Sequence, residues 1–194
     1  MKLIGITGGI GAAKTTFSMI LDALVYKIYN CDFKAKELMV NSEVLVVKIK
    51  GIFGENAYED GQLNRKHIAN LAFNDKSLLQ KLNDAVHPIV DADIEQWTQE
   101  NCHEKLLFVE SAILFESGLT KMMDYSINVS APLQLRVSRV CKRDHVAPEI
   151  VEERISNQMK DEERNKLCDF TIVCDDRVSV IKQALICIDA LLTK

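Results

Sequence analysis

The sequence predicts an α/β fold in which a parallel sheet is covered by helices on both faces. Short apolar runs with strand character recur along the chain, and stretches with helical spacing alternate with them. A glycine-rich turn joins the first of these strands to the first of these helices. Residues 33–103 hold no clear strand, so an all-helical insertion separates the second strand from the third.

Lys2–Thr7 reads as a buried strand, and the helix after the turn begins near Lys14. Phe17, Ile20, Leu21 and Leu24 fall on one face of it. Tyr26–Asn30 is the second strand and Asp32–Val40 a helix. Ser42–Phe53 reads two ways: Val44, Val46, Val47 and Ile49 favour a strand, while the length favours a helix. Phe53-Gly54 and Asp60-Gly61 punctuate a loop, and Asn64 is placed to cap a helix running to Phe73. Asp75–Gln99 reads as helical, with Pro88 expected to break or kink it near His87. Lys105–Glu110, Asp124–Val129 and Asp169–Cys174 complete a set of five strands. Pro132–Arg143 and Pro148–Met159 are helices that carry proline in their first turn. In the last helix Ile181, Ala184, Leu185, Ile188, Leu191 and Leu192 form the stripe expected to pack on the sheet.

At 194 residues the chain suits one compact unit with a full core. Its net charge of −4 does not provide the basic surface of a general nucleic-acid binder. Its apolar runs are too short to cross a bilayer, and Met1–Thr7 lacks the length and cleavage site of a signal peptide. These features lead to an expectation of a cytoplasmic protein without membrane or nucleic-acid partners. The six cysteines are irregularly spaced with no CxxC pair, which favours reduced core residues over a disulfide framework or a zinc site. The four histidines show no metal-ligand spacing.

Gly8-Gly9-Ile10-Gly11-Ala12-Ala13-Lys14-Thr15 nearly matches G-x-x-x-x-G-K-[ST], with Thr16 following in the helix. Glycines let backbone N–H groups surround phosphate oxygens, and the next helix adds its positive end. Lys14 would reach the β and γ phosphates of ATP, and the Thr15 hydroxyl would hold Mg²⁺. Ala13 stands where the pattern has glycine. If φ is positive there, alanine costs about 1–2 kcal/mol, and its Cβ is one that can crowd the phosphates.

Asp32 directly follows the second strand, a place where open α/β sheets bind ligands. It suits a catalytic base for an attacking hydroxyl, and equally a first-turn helix acid. Leu106–Glu110 is four apolar residues ending in an acid, the form of a strand whose carboxylate positions Mg²⁺. Glu116 reads as a surface or capping residue. Arg136, Arg139 and Arg143 share one helical face, with Lys142 beside them and Arg154 on the next helix. Forked donors in that arrangement fit a lid that closes over ATP.

Together these residues resemble the dephospho-coenzyme A kinase family. Thr7-Gly8-Gly9-Ile10-Gly11 with Lys14 resembles its opening, and Ile28-Tyr29-Asn30-Cys31-Asp32 its second-strand motif, which ends in the aspartate taken as base. Phe53-Gly54, Asp60-Gly61-Gln62-Leu63-Asn64-Arg65 and Leu82-Asn83-Asp84-Ala85-Val86-His87-Pro88 resemble markers of its acceptor region. Ala112–Glu116, Arg139–Asp144 with Arg154 and Gln158, and Cys168–Ile172 resemble later segments. Ala13, Asn30, Cys31, Ala112 and Cys174 depart from the family pattern.

The resemblance implies a P-loop NTPase fold, a three-layer α/β/α unit with a five-stranded parallel sheet, a helical acceptor-binding insertion and a helical lid. The expected core is about 1–31, 104–132 and 168–194, the acceptor region about 32–103 and the lid about 133–167. It implies ATP and Mg²⁺ as cofactors and dephospho-coenzyme A as the small-molecule substrate; the sequence leaves the oligomeric state open, with a monomer favoured. Lys14, Thr15 and Glu110 are expected at ATP and Mg²⁺, Thr7 and Asp32 near the acceptor hydroxyl, and Arg139 and Arg143 at the phosphates. Arg65 and His87 are expected by the acceptor, with a helix-breaking role for His87 equally open. Two other readings stand beside this one: a nucleotide or nucleoside kinase, and a kinase-like protein that binds without catalysis.

Overall fold

The computed structural model describes residues 1–193, and the side chains of all of these except Phe73 and Lys76. The chain falls into two compact units, Cys31–Glu100 and the remainder on either side of it.

In the larger unit, β1 (Lys2–Thr7) is buried from Leu3 onward. Its alternating side chains send Ile4 and Ile6 into the same apolar cluster as Phe17 and Leu21 of α1 (Lys14–Ala23). β2 (Lys27–Asn30) follows a tight turn after α1.

Helix α1 is bracketed by two left-handed residues, neither of them glycine. Ala13 at its N-cap has φ 73°, and Val25 just past its C-cap has φ 69°. A β-branched side chain is poorly suited to that conformation, and Val25 is 82% exposed, so little packing offsets the strain. Val25→Gly is therefore expected to stabilise the protein by about 1 kcal/mol, the relieved strain exceeding the extra freedom of the unfolded chain. That corresponds to a rise in Tm of roughly 2–4 °C by calorimetry. Ala13→Gly is expected to gain less, because the Ala13 methyl packs against the apolar cluster and its loss gives some of the gain back.

The smaller unit begins with α2 (Cys31–Asn41). The ambiguous segment after it is a helix, α3 (Glu43–Phe53). Ser42 Oγ caps it by accepting from Leu45 N at 3.4 Å. Leu45, Ile49 and Phe53, at i, i+4 and i+8, form its buried face, while Val44 and Val47 are exposed. Helical spacing of the larger apolar side chains thus overrides the strand propensity of the valines.

The expectation of an all-helical insertion is corrected by a small antiparallel hairpin, β3 (Tyr58–Glu59) and β4 (Gln62–Leu63). Asp60 (φ 49°) and Gly61 (φ 76°) turn it, the conformation a tight two-residue hairpin demands. Asn64 caps α4 (Arg65–Asn74) by accepting from His67 N at 3.1 Å.

α5 (Lys76–Glu100) runs through Pro88 without ending, so of the expected break or kink the break does not occur. An interior proline costs about 3 kcal/mol. Here Val86, Val90 and Ile94 are buried along one face of α5, with Ala85 also buried, and the helix packs on α2, α3 and α4. Each large buried side chain contributes about 1.5–3 kcal/mol, so packing on both sides of the proline outweighs it.

The chain then re-enters the larger unit as β5 (Leu106–Glu110), buried throughout, and β6 (Tyr125–Ser130). α6 (Leu133–Asp144) and α7 (Pro148–Ser156) follow, the latter with proline in its first turn. A further helix, α8 (Asp161–Leu167), was not expected, because its seven mainly polar residues carry no apolar period. β7 (Phe170–Val173) and α9 (Val180–Thr193) complete the fold.

The five-stranded sheet has the order β2-β5-β1-β6-β7, and every pair is parallel. α1 and α9 share the cluster that covers one face, and α8 packs on β6. The α9 stripe is narrower than expected. Ala184, Cys187, Ile188 and Leu191 are buried, whereas Ile181, Leu185 and Leu192 are exposed. Among the described residues no helix is long and apolar enough to cross a membrane.

Candidate active site

The central strand β1 ends beside the carboxyl ends of both its neighbours. Ile6 is in register with Glu110 of β5, and Thr7 with Asn128 of β6. The glycine-rich turn springs from this point and leads directly into α1. Strand, turn and helix are thus placed as a phosphate-binding loop requires.

The turn is closed on itself by Ala12 N donating to Gly9 O at 3.1 Å. Lys14 lies over it, Nζ donating to Gly8 O at 2.7 Å and Gly9 O at 3.4 Å. Thr15 and Thr16 are exposed in the first turn of α1, which contains no acidic residue to neutralise the helix end. Ala13 takes the left-handed conformation that the motif's glycine would. Ala13 is partly buried and packs against the apolar core cluster.

Glu110 is buried at the end of β5, where Ser18 Oγ donates to its Oε2 at 2.7 Å. Ser18 and Thr15 lie three residues apart on α1 and share a face. The Glu110 carboxylate therefore sits about one helical turn, roughly 5 Å along the axis, from the level of Thr15. Oxygen donors so arranged suit a hard cation such as Mg²⁺. No group of three or more His, Cys, Asp or Glu that could hold a metal is found among the described residues, and a Thr–Glu pair is below that size.

Thr7 is fully buried, and its Oγ1 has no hydrogen-bond partner. The same is true of Oδ1 of Asn128, its register neighbour, whose Nδ2 donates to Asn165 Oδ1 at 2.6 Å. A buried polar atom left unsatisfied costs about 1–3 kcal/mol. Two in register at the mouth of the loop mark this end of the sheet as functional ground. Nothing in the sequence around Asn128 signalled it.

The three arginines expected on one phosphate-facing side have three different environments. Arg136 is buried: Nε donates to Ile10 O at 2.8 Å, and Nη1 pairs with Asp161. Arg139 reaches Cys174 O at 3.0 Å, Asp176 Oδ1 at 2.7 Å and Gly11 O at 3.5 Å. Arg143 is exposed and held by Asp144, Nε to Oδ1 at 2.7 Å. Asp144 also receives Arg154 Nη1 at 3.2 Å. The hydrogen bond from Arg143 holds the Asp144 carboxyl below the usual carboxylate range. Gln158 touches the loop as well, its Oε1 accepting from Ile10 N at 2.8 Å.

In the smaller unit, Asp32 is the second residue of α2 and is exposed in its first turn. Cys31 beside it is buried. Arg65 is exposed at the first position of α4. His87 is half-buried on α5, one turn before Asp91 and two before Glu95. Burial raises the Asp91 carboxyl above its usual range, and the nearby His87 opposes that rise.

A parallel sheet with the order 2-5-1-6-7, a glycine-rich loop carrying a lysine off its central strand, and arginines on the helices after β6 define a P-loop kinase. Comparison with known proteins gives the particular family. Residues 2–179 match the family described as dephospho-CoA kinase, and the chain belongs to that family. A dephospho-CoA kinase of Porphyromonas gingivalis is 35% identical, covering all of this chain and 96% of the relative. One from Bacteroides fragilis is 34% identical over 94% of this chain and 89% of the relative. Among solved structures, a Thermus thermophilus protein superposes with a TM-score of 0.87 at 31% identity, covering 100% of this chain and 98% of the other. A dephospho-CoA kinase from Campylobacter jejuni gives 0.73 at 25% identity, covering 98% and 97%. An Acinetobacter baumannii shikimate kinase, at 14% identity and 0.57, shares the fold.

Proposed function

We propose that the protein transfers the γ-phosphoryl group of ATP to the ribose 3′-hydroxyl of dephospho-coenzyme A, giving coenzyme A. The observation that carries this is the extent of the family match, residues 2–179, which takes in the phosphate loop, the helical unit and the arginine-bearing helices alike. Transfer of this kind needs little covalent chemistry from the protein and much positioning and charge stabilisation.

Each group on the chain then has a task. The backbone from Gly8 to Thr16 surrounds the β and γ phosphates, and Lys14 exchanges the loop carbonyls for phosphate oxygens. Thr15 and the Ser18-supported Glu110 hold Mg²⁺, directly or through water. When bound, the cation neutralises phosphate charge as it redistributes. Asp32 orients the 3′-hydroxyl and takes its proton, and Thr7 Oγ1 finds in the reacting groups the partner it otherwise lacks. Arg143 swings from Asp144 to the transferring phosphate, and Arg139 serves the nucleotide. Arg65 and His87 contribute to holding the acceptor. The enzyme acts as a cytoplasmic monomer on this small molecule, without nucleic acid or membrane. The match to the kinase family over residues 2–179 supports catalysis over a binding protein, and the left-handed backbone at Ala13 keeps the conformation that the motif's glycine would take.

The test is the identity of the acceptor and of the bond made. Incubation with Mg-ATP and an acceptor panel of dephospho-coenzyme A, adenosine, AMP and deoxyadenosine should release ADP with the first alone. Phosphorus NMR of the product should show a new 3′-phosphomonoester. Faster turnover with a nucleoside, or phosphate at another position, contradicts the assignment.

A further inference from the structure

We infer that Arg136 is a positioning residue for the nucleotide phosphates, acting through the phosphate loop that it grips from behind. The inference rests on the reading of that loop as the ATP site.

Ile10 lies in the middle of the loop, and both of its backbone polar groups are bound by side chains from the segment after β6. Its carbonyl accepts from Arg136 Nε at 2.8 Å, and its N–H donates to Gln158 Oε1 at 2.8 Å. A hold on both peptide groups that flank the Ile10 Cα fixes the turn without using the N–H groups of the residues that follow it. The packing is equally close. A Cβ added at Gly9 would run into the Arg136 guanidinium, and one at Gly11 into the Arg136 backbone. These two glycines are therefore required by the fit of the loop onto Arg136, whatever they do for a phosphate.

The charges make the second part of the case. Arg136 pairs with Asp161, which also receives Arg164 Nη1 at 2.6 Å. Arg136 is 3% exposed and Arg164 1%, with Asp161 between them. Two buried guanidinium groups against one partly exposed carboxylate leave a net charge of +1 in this trio. Sequestered charge is expensive unless an opposite charge completes it. A polyphosphate in the adjacent loop supplies that charge, so the set favours the bound state. Arg164 is itself held by Met159 O at 2.7 Å, which anchors the trio at its far end. Arg136 is thus committed to the loop peptide and Asp161, unlike the exposed Arg143 that we assign to the moving phosphate.

The test compares wild type, Arg136→Met and Arg136→Lys, reading ATP affinity by calorimetry and steady-state kinetics with both substrates varied. Arg136→Met removes the grip and the charge, and should weaken ATP binding and raise KM for ATP by about tenfold or more. kcat and KM for dephospho-coenzyme A should stay within about threefold. Lysine keeps the charge but cannot hold Ile10 and Asp161 together, so Arg136→Lys should fall between the two, roughly two- to fivefold weaker for ATP. A purely structural role would lower Tm in either variant and leave KM for ATP unmoved, and that result overturns the inference. Should Arg136→Met fail to fold, Arg136→Lys decides, and ATP affinity equal to wild type overturns it. A wild type that does not bind ATP overturns the reading of the loop, and this inference with it. A wild type that binds ATP beside an unaffected Lys variant overturns this inference alone.

Discussion

Asp32→Ala is expected to lower turnover by about 10²–10⁴, the range for loss of a positioned general base. The affinity for ATP should stay within about twofold of wild type. The chemistry sets the asymmetry. A ribose hydroxyl is a poor nucleophile until a base accepts its proton, whereas the role proposed for Asp32 gives it no part in holding ATP. Exposed in the first turn of α2, Asp32 is free of the tight packing that would make its removal costly to the fold. An alanine there loses a favourable first-turn charge, worth about 0.3–1 kcal/mol. Tm should therefore fall by only a few degrees, roughly 1–3 °C for a chain of this size. The check is single-turnover kinetics at saturating Mg-ATP with calorimetry for ATP alone. Turnover within tenfold of wild type would remove Asp32 from the role of base.

Lys14→Met is expected to cost about 10²–10³ in kcat, as loss of one preorganised electrostatic contact does elsewhere. Lys14 Nζ donates to Gly8 O and Gly9 O, so its charge is already stationed over the loop. No side chain needs to be recruited when phosphate arrives, and the ammonium exchanges carbonyl oxygens for phosphate oxygens. Methionine preserves the length and most of the apolar stem, which separates the charge from the packing. ATP affinity should weaken as well, in contrast to Asp32→Ala, because the role proposed for Lys14 puts its ammonium on the phosphates in the ground state. A Lys14→Met enzyme with wild-type kcat would mean that the loop's backbone donors suffice.

Much of the sheet and the phosphate loop was legible in the sequence because their signals are local. β1 from Leu3 to Ile6 and β5 from Leu106 to Val109 are runs of consecutive apolar residues, as strands buried on both faces must be, whereas β6 alternates apolar and polar residues. The loop is contiguous, so its spacing could be read directly. Features that depend on tertiary partners were less legible. Ser42–Phe53 mixes strand propensity with helical spacing, and burial of Leu45, Ile49 and Phe53 decides for the helix. The α9 stripe was read too wide because Ile181, Leu185 and Leu192 lie at its margins, and Cys187 was passed over inside it. The Asp60-Gly61 dipeptide did carry a hairpin signal, but the flanking strands have two residues each. Helical spacing places Arg136, Arg139 and Arg143 together, yet Arg136 and Arg139 are drawn to Ile10 and Asp176, far off in the chain, while Arg143 pairs with its neighbour Asp144. Asp161 and Arg164 escaped notice for the same reason, since a short polar helix gives no sign that one of its arginines is fully buried.

Whether this kinase takes dephospho-coenzyme A as its acceptor is decided by ADP release from Mg-ATP by the purified protein. ADP formation should depend on dephospho-coenzyme A and cease without Mg²⁺, and the nucleotide that accumulates should be coenzyme A. ADP formation that is indifferent to dephospho-coenzyme A, or none with it present, would contradict the account.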